Sequence, residues 1–135
     1  MGAQESRGLL DTSVFIAAES GRPLDTSRLP DEGQVCVITL AELEAGVLAA
    51  KDQTTRSRRL ATLTYVSSLT PLPVDGRAAA HWARMRMRLA EGGRRMNVND
   101  LWIASVALAN DLPVYSQDRD FDPLTELDEL QVVYV

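Results

Sequence analysis

Apolar and polar positions along the chain alternate between short apolar runs and longer amphipathic segments. Gly8-Leu9-Leu10 leads into Asp11-Thr12-Ser13, a polar corner of helix-cap type, and then into Val14-Phe15-Ile16-Ala17-Ala18. That order predicts a strand, a corner and a helix. After a loop rich in turn formers at 20–33, residues 34–38 read as a second strand, and Thr39 as the N-cap of the helix after it. Glu42 meets the capping-box spacing from Thr39, and Leu40, Leu43, Val47 and Leu48 recur at helical intervals. Residues 56–69 predict a further helix with Leu60, Leu63, Tyr65 and Val66 toward the core. Pro71-Leu72-Pro73-Val74 predicts a short edge-type strand, because proline has no N–H to give a ladder. Residues 78–91 are amphipathic, with Trp82, Met85 and Leu89 on one face, and Gly92-Gly93 ends that helix. Asn99-Asp100 opens an apolar helix through Asn110, and the segments 113–116 and 131–135 read as the last strands. Strands alternate with helices throughout. The expected class is α/β, with a parallel sheet and helices on both faces.

Composition narrows this picture only slightly. The 135 residues fit a single domain, 1–135, with the polar residues 1–8 expected to form a flexible start. A chain 45% hydrophobic and 24% charged has a globular profile. It shows no signal-like apolar start and no long apolar run, so a cytoplasmic protein with no membrane association is expected. Cys36 is the single cysteine, which excludes an intramolecular disulfide. The net charge of -5 argues against a general nucleic-acid binder. Its distribution argues the other way: Arg77, Arg84, Arg86, Arg88, Arg94 and Arg95 crowd one stretch in which Asp75 and Glu91 are the only acids. That stretch is either a solvated helix face or a surface whose guanidinium groups meet phosphate.

In a parallel sheet, ligands bind outside the carboxyl ends of the strands. Asp11 follows the first strand, Glu42 lies in the first turn after the second, Ser116 and Asp118 follow the strand near Val114, and Asp100 opens the helix before it. Singly, each has a plainer role. Asp11 and Asp100 suit helix caps, Ser13 supports a turn, Glu42 suits a capping box, and Asp118 and Asp120 suit a turn. Jointly, four carboxylates converge on one edge. Two such charges at 4 Å repel by about 4 kcal/mol at an effective dielectric of 20, so the cluster takes up protons or binds a hard divalent ion. No thiolate or imidazole accompanies it; His81, the only histidine, lies in the arginine-rich helix and suits a structural or surface role. Carboxylates with bound water suit Mg²⁺ or Mn²⁺, and phosphodiester hydrolysis is the chemistry that such a site supports.

The same residues carry a family pattern. Leu10-Asp11-Thr12-Ser13, Thr39-Leu40-Ala41-Glu42, Asn99-Asp100-Leu101-Trp102-Ile103-Ala104 and Ser116-Gln117-Asp118-Arg119-Asp120-Phe121, in this order, resemble the PIN-domain nucleases, and among them the VapC toxins of toxin–antitoxin pairs. The resemblance implies a PIN-like fold with a central five-stranded, mainly parallel sheet flanked by helices. It implies that Asp11, Glu42, Asp100 and Asp118 hold Mg²⁺, or Mn²⁺ in its place, and activate the attacking water. Ser13 matches the hydroxyl beside the first aspartate, Ser116 stands where many relatives have threonine, Asp120 matches a further acid of varying role, and Asn99 is expected to help place Asp100. A VapB-type antitoxin is implied as partner, its C-terminal segment lying in a groove for which the helix pair 40–69 offers apolar lining, with an arginine reaching the carboxylates. A homodimer and a structured RNA substrate, tRNA or rRNA, are implied as well. For that RNA, Arg84, Arg88, Arg94 and Arg95 are the candidate contacts.

Two other classes compete. A haloacid-dehalogenase-like phosphatase also places an aspartate after its first strand and uses Mg²⁺, but wants a second aspartate where Ser13 stands. A non-catalytic PIN-like module that binds RNA or protein would share the fold, though such modules usually lose one or more of the acids.

Overall fold

The structure, a computed structural model, describes residues 5–135. The strands are β1 (Arg7–Leu10), β2 (Glu32–Gln34), β3 (Val114–Ser116) and β4 (Val132–Tyr134). The helices are α1 (Thr12–Ser20), α2 (Val37–Ala49), α3 (Gln53–Ser67), α4 (Gly76–Glu91), α5 (Val98–Ala109) and α6 (Asp122–Glu126). All strand pairs are parallel, in the order β2-β1-β3-β4. The chain leaves β1 toward one side for β2 and returns on the other for β3. The order therefore reverses between β1 and β3, and at such a switch point the carboxyl ends open a crevice.

Among the described residues the sheet has four strands rather than the expected five. Pro71 and Pro73 flank Leu72, so Leu72 holds the only N–H in that trio. It donates to the Val35 carbonyl at 2.8 Å, and Val37 N–H donates back to Leu72 at 3.0 Å. The ladder stops at this single parallel bridge between Cys36 and Leu72.

Side-chain alternation along β1 divides the core. Leu9 packs with Met85, Leu89, Ile103, Val106 and Phe121 on the α4–α5 side. Its neighbour Leu10 packs on the opposite side, with Phe15, Val35, Leu43 and Val66. Gly8 is required in this strand, because a Cβ there would overlap the ring of Tyr115, which is buried on the adjacent β3.

Three helices open on side-chain caps: Asp52 accepts from Thr55 N–H at 2.7 Å, Asp75 from Ala78 N–H at 2.9 Å, and Asn97 from Asn99 N–H at 2.9 Å. The second helix departs from expectation. It begins at Val37 with Cys36 as N-cap, and Thr39, expected as the cap, is a fully buried residue inside its first turn. Leu60 and Tyr65, expected in the core, are 49% and 60% exposed. Val66 alone of that helix is fully buried, because α3 packs chiefly against α2 and α1 and keeps most of its surface in solvent. Of the residues 1–8 expected to be flexible, 1–4 lie outside the described residues. Ser6 N–H donates to Asp31 at 2.8 Å, and Arg7 and Gly8 are in β1.

Candidate active site

The switch-point crevice is built from the ends of β1 and β3, the first turns of α1 and α5, and the second turn of α2. Asp11 occupies the N-cap position of α1 with extended backbone, yet its side chain makes no cap hydrogen bond. Instead Ser13 Oγ donates to Asp11 Oδ2 at 2.7 Å and Ser116 Oγ to the same oxygen at 3.0 Å. Both hydroxyls converge on Oδ2, so Oδ1 takes no side-chain donor. Asp11 is 3% exposed, and burial raises its pKa above the ordinary value against the opposing pull of the two serines.

The other acids arrive from three directions. Glu42, on the second turn of α2, accepts from Thr12 Oγ1 at 2.8 Å; that hydroxyl is also 2.9 Å from Thr39 Oγ1. Asp100 lies in the first turn of α5, where an acid meets the positive end of the helix dipole. Asp118 Oδ1 accepts from Asp120 N–H at 3.1 Å, and Asp118 N–H donates to Ser116 Oγ at 3.2 Å. Asp11, Glu42, Asp100, Asp118 and Asp120 together line one open pocket of about 220 Å³.

Electrostatics registers the crowding. Burial, then the carboxylates of Asp11, Asp120, Glu42 and Asp118, push the Asp100 pKa from 3.8 to about 7. Burial and Asp118 also raise Asp120. Among the described residues the ion pairs join Arg7 to Glu32, Arg84 and Arg88 to Glu129, and Arg94 to Glu126; none reaches these acids. The donor set is all oxygen, strongly anionic and free of imidazole and thiolate, which fits a hard divalent cation. Among the described residues, no three potential ligands already stand in a coordinating arrangement. Glu42 accepts from Thr12 and Asp118 from the Asp120 amide, so each has one carboxylate oxygen already engaged.

The expected supporting residues divide. Ser13 and Ser116 are at the centre of the site, as described. Asn99 is exposed, and it is the Asn97 side chain that accepts from Asp100 N–H, at 3.3 Å. Thr12 and Asn97 were missed by sequence reasoning; the Asn-x-x-Asp spacing from Asn97 to Asp100 was the available signal. Arg84 and Arg88 both bind Glu129, at 3.3 and 2.6 Å, and Glu129 is largely buried. His81 is near Arg84, at 3.3 Å, and does not line the acidic pocket. No helix among the described residues is long and apolar enough to cross a membrane.

A parallel sheet with this acidic crevice defines a class, and comparison with known proteins assigns it. The PIN domain family model matches residues 8–127. Ribonuclease VapC5 of Mycobacterium tuberculosis is 51% identical over 135 residues, covering 100% of both chains. Ribonuclease VapC4 of the same organism is 35% identical over 127 residues, 93% of this chain and 97% of that one. The crystal structure of VapBC-5, a member of the VapBC family of toxin-antitoxin systems from Mycobacterium tuberculosis, superposes with a TM-score of 0.89 at 49% identity, covering 96% of this chain and 99% of that chain. The chain belongs to the PIN-domain family and, within it, to the VapC ribonucleases. The phosphatase reading falls with this assignment, and Ser13 is bound to Asp11 where a phosphatase would place its second acid.

Proposed function

We propose that the chain is a Mg²⁺-dependent endoribonuclease toxin that cuts structured RNA, tRNA or rRNA, in the cytoplasm, and that a cognate VapB-type antitoxin silences it. The observation that carries this reading is the convergence of Asp11, Glu42, Asp100, Asp118 and Asp120 on one pocket, where burial and then the neighbouring carboxylates raise the Asp100 pKa to about 7. A fold that gathers acids without basic partners keeps a place for a cation. Asp11, Glu42, Asp100 and Asp118 are the residues that would hold Mg²⁺, with Mn²⁺ able to substitute. When bound, the ion lowers the pKa of the attacking water and offsets charge on the phosphate oxygens.

The chain's own groups do the rest. Ser13 and Ser116 fix Asp11 through Oδ2, leaving Oδ1 without a side-chain donor, and Thr12 steadies Glu42 from the facing helix. Asn97 anchors the first turn of α5 and with it Asp100. The attacking water gives its proton to a carboxylate of the cluster. Asp120, at the rim and already shifted toward protonation, is suited to pass it to solvent. An RNA phosphate is repelled by five acids, so cation and substrate enter together or the cation first.

For the antitoxin, α2 and α3 offer the exposed apolar side chains of Leu48, Leu60 and Tyr65, at 80%, 49% and 60% exposure. An antitoxin arginine in the pocket would replace the cation's charge. The working unit is a homodimer.

The test is expression of wild type, Asp11→Asn and Asp100→Asn, with and without a neutralising partner, followed by sequencing of cellular RNA 5′ ends. Growth arrest with discrete new ends, absent in both variants, is expected. Identical RNA ends and growth for all three proteins would overturn the catalytic reading and favour the RNA- or protein-binding module.

A further inference from the structure

The arginine-rich stretch does not behave as one surface. Arg84 and Arg88 are spent on Glu129. Arg86 projects elsewhere: its guanidinium carbon lies 5.2 Å from the centroid of Trp82. Trp82 is stacked in turn on Trp102, with ring centroids 4.8 Å apart and planes at 16°. The exposed Arg86 guanidinium is thus held over an indole that is itself stacked on a second one, a cation–π contact in place before any ligand arrives. The Trp82 Nε1–H is the one buried side-chain polar atom among the described residues with no partner.

Trp82 and Arg86 line a trough of about 610 Å³ that also includes Arg95, Met96 and Val98. Arg95 forms none of the ion pairs among the described residues. The trough is related to the acidic centre through a second depression that shares residues with each. Arg94, Arg95 and Met96 line both it and a second depression, and Asn97 and Asp120 line both that depression and the acidic pocket. Val98 faces the trough while Asp100, in the same helical turn, faces the acids. The two sites are thus about one helix diameter apart, roughly 10–12 Å, a span of a few nucleotides.

The geometry points to a nucleotide subsite in this trough, in which an unpaired base of the RNA flanking the cut stacks on the Arg86 guanidinium and its phosphate is met by Arg95. Single-stranded RNA is recognised by stacking of splayed bases on aromatic rings or guanidinium planes, and arginines next to the stack supply the charge that the acidic centre lacks. A duplex end does not fit, because its bases are already stacked on one another. The assignment deepens the ribonuclease reading and rests on it for the identity of the polymer.

The test uses the full chain carrying Asp100→Asn and fluorescein-labelled octaribonucleotides, single-stranded or annealed to a complement, followed by anisotropy and by tryptophan fluorescence. Saturable quenching of Trp82 and Trp102 by the single strand is expected, with weaker binding of the duplex. Arg86→Gln should weaken single-strand binding about tenfold. Arg86→Lys, which keeps the charge and loses the plane, should weaken it several-fold. Arg95→Gln serves as an independent variant should either Arg86 variant lose its circular-dichroism signature. Wild-type affinity in Arg86→Lys, absence of quenching, or conversion of a dimer to a monomer by Arg86→Gln in light scattering would overturn the assignment; the last would give this face to a second copy of the chain. Failure of the underlying reading is separable. Wild type cutting RNA no more than Asp100→Asn would remove the nuclease, whereas active wild type and an equally active Arg86→Gln, cutting at the same positions, would remove only the subsite.

Discussion

Ser116, the last residue of β3, donates to Oδ2 of Asp11 at 3.0 Å across 105 residues of chain. The bond joins the two strands on either side of the switch point and fixes one oxygen of a carboxylate that is 3% exposed. A buried carboxylate that loses a hydroxyl donor is harder to ionise and freer to rotate. Ser116→Ala is expected to reduce RNA cleavage about tenfold at neutral pH and to raise the Mg²⁺ concentration needed for half-maximal rate. Ser13→Ala should act in the same direction. Metal titration of cleavage rate checks both.

Asp100→Asn separates stability from activity. It removes a carboxyl that four others repel. The variant should lose at least about a hundredfold in cleavage while its metal-free form melts a few degrees higher than wild type at pH 8. Thermal unfolding in EDTA beside a cleavage assay is the measurement. A lower melting temperature would contradict the repulsion that the site's geometry implies.

The pH dependence follows from the same group. Its folded pKa of about 7 lies above the ordinary 3.8, so between those values the folded chain binds more protons than the unfolded one. Stability from this group is full below about pH 4 and is lost as pH rises through about 7; Asp11, also raised, adds in the same direction. Metal-free melting temperature should therefore fall across that window more steeply in wild type than in Asp100→Asn. The increase produced by Mg²⁺ should be larger at pH 8 than at pH 5, where protons compete for the same oxygens.

Gly8→Ala tests the packing that brings β1 and β3 together. A Cβ at this position overlaps the buried Tyr115 ring. Overpacking of this kind costs about 1–3 kcal/mol, and because the displaced strand leads directly into Asp11, cleavage should fall along with the urea midpoint.

The arginines should part company by role. Arg84→Ala and Arg88→Ala release Glu129 and are expected to lower stability by about 1 kcal/mol with no change in the salt dependence of RNA binding. Arg95→Ala should leave stability unchanged and lower the salt slope by about one. Urea unfolding and binding at several salt concentrations distinguish the two groups.

The sequence by itself determined the α/β alternation, the order of the elements and the identity of the acids. Each is written locally, in apolar periodicity, in polar corners after short strands and in the spacing of Asp11, Glu42, Asp100 and Asp118. It overstated the fifth strand: 71–74 reads as an edge strand, but prolines on both sides of Leu72 leave one N–H, and the pairing stops at a single bridge to Cys36. What the tertiary structure decided depends on partners distant along the chain. Thr39 looked like a helix cap and is instead a buried residue beside Thr12, because Cys36 is drawn into the bridge with Leu72 and the helix starts earlier. Asn97 rather than Asn99 holds the amide of Asp100 because the helix begins one residue before Asn99. Arg84 and Arg88 resemble Arg86 and Arg95 in sequence and differ only in whether Glu129 reaches them. Local pattern fixes which residues are placed in helices and strands. Which hydroxyl steadies which carboxylate, and which arginine is left for a ligand, is settled only when side chains far apart in sequence compete for the same hydrogen bonds.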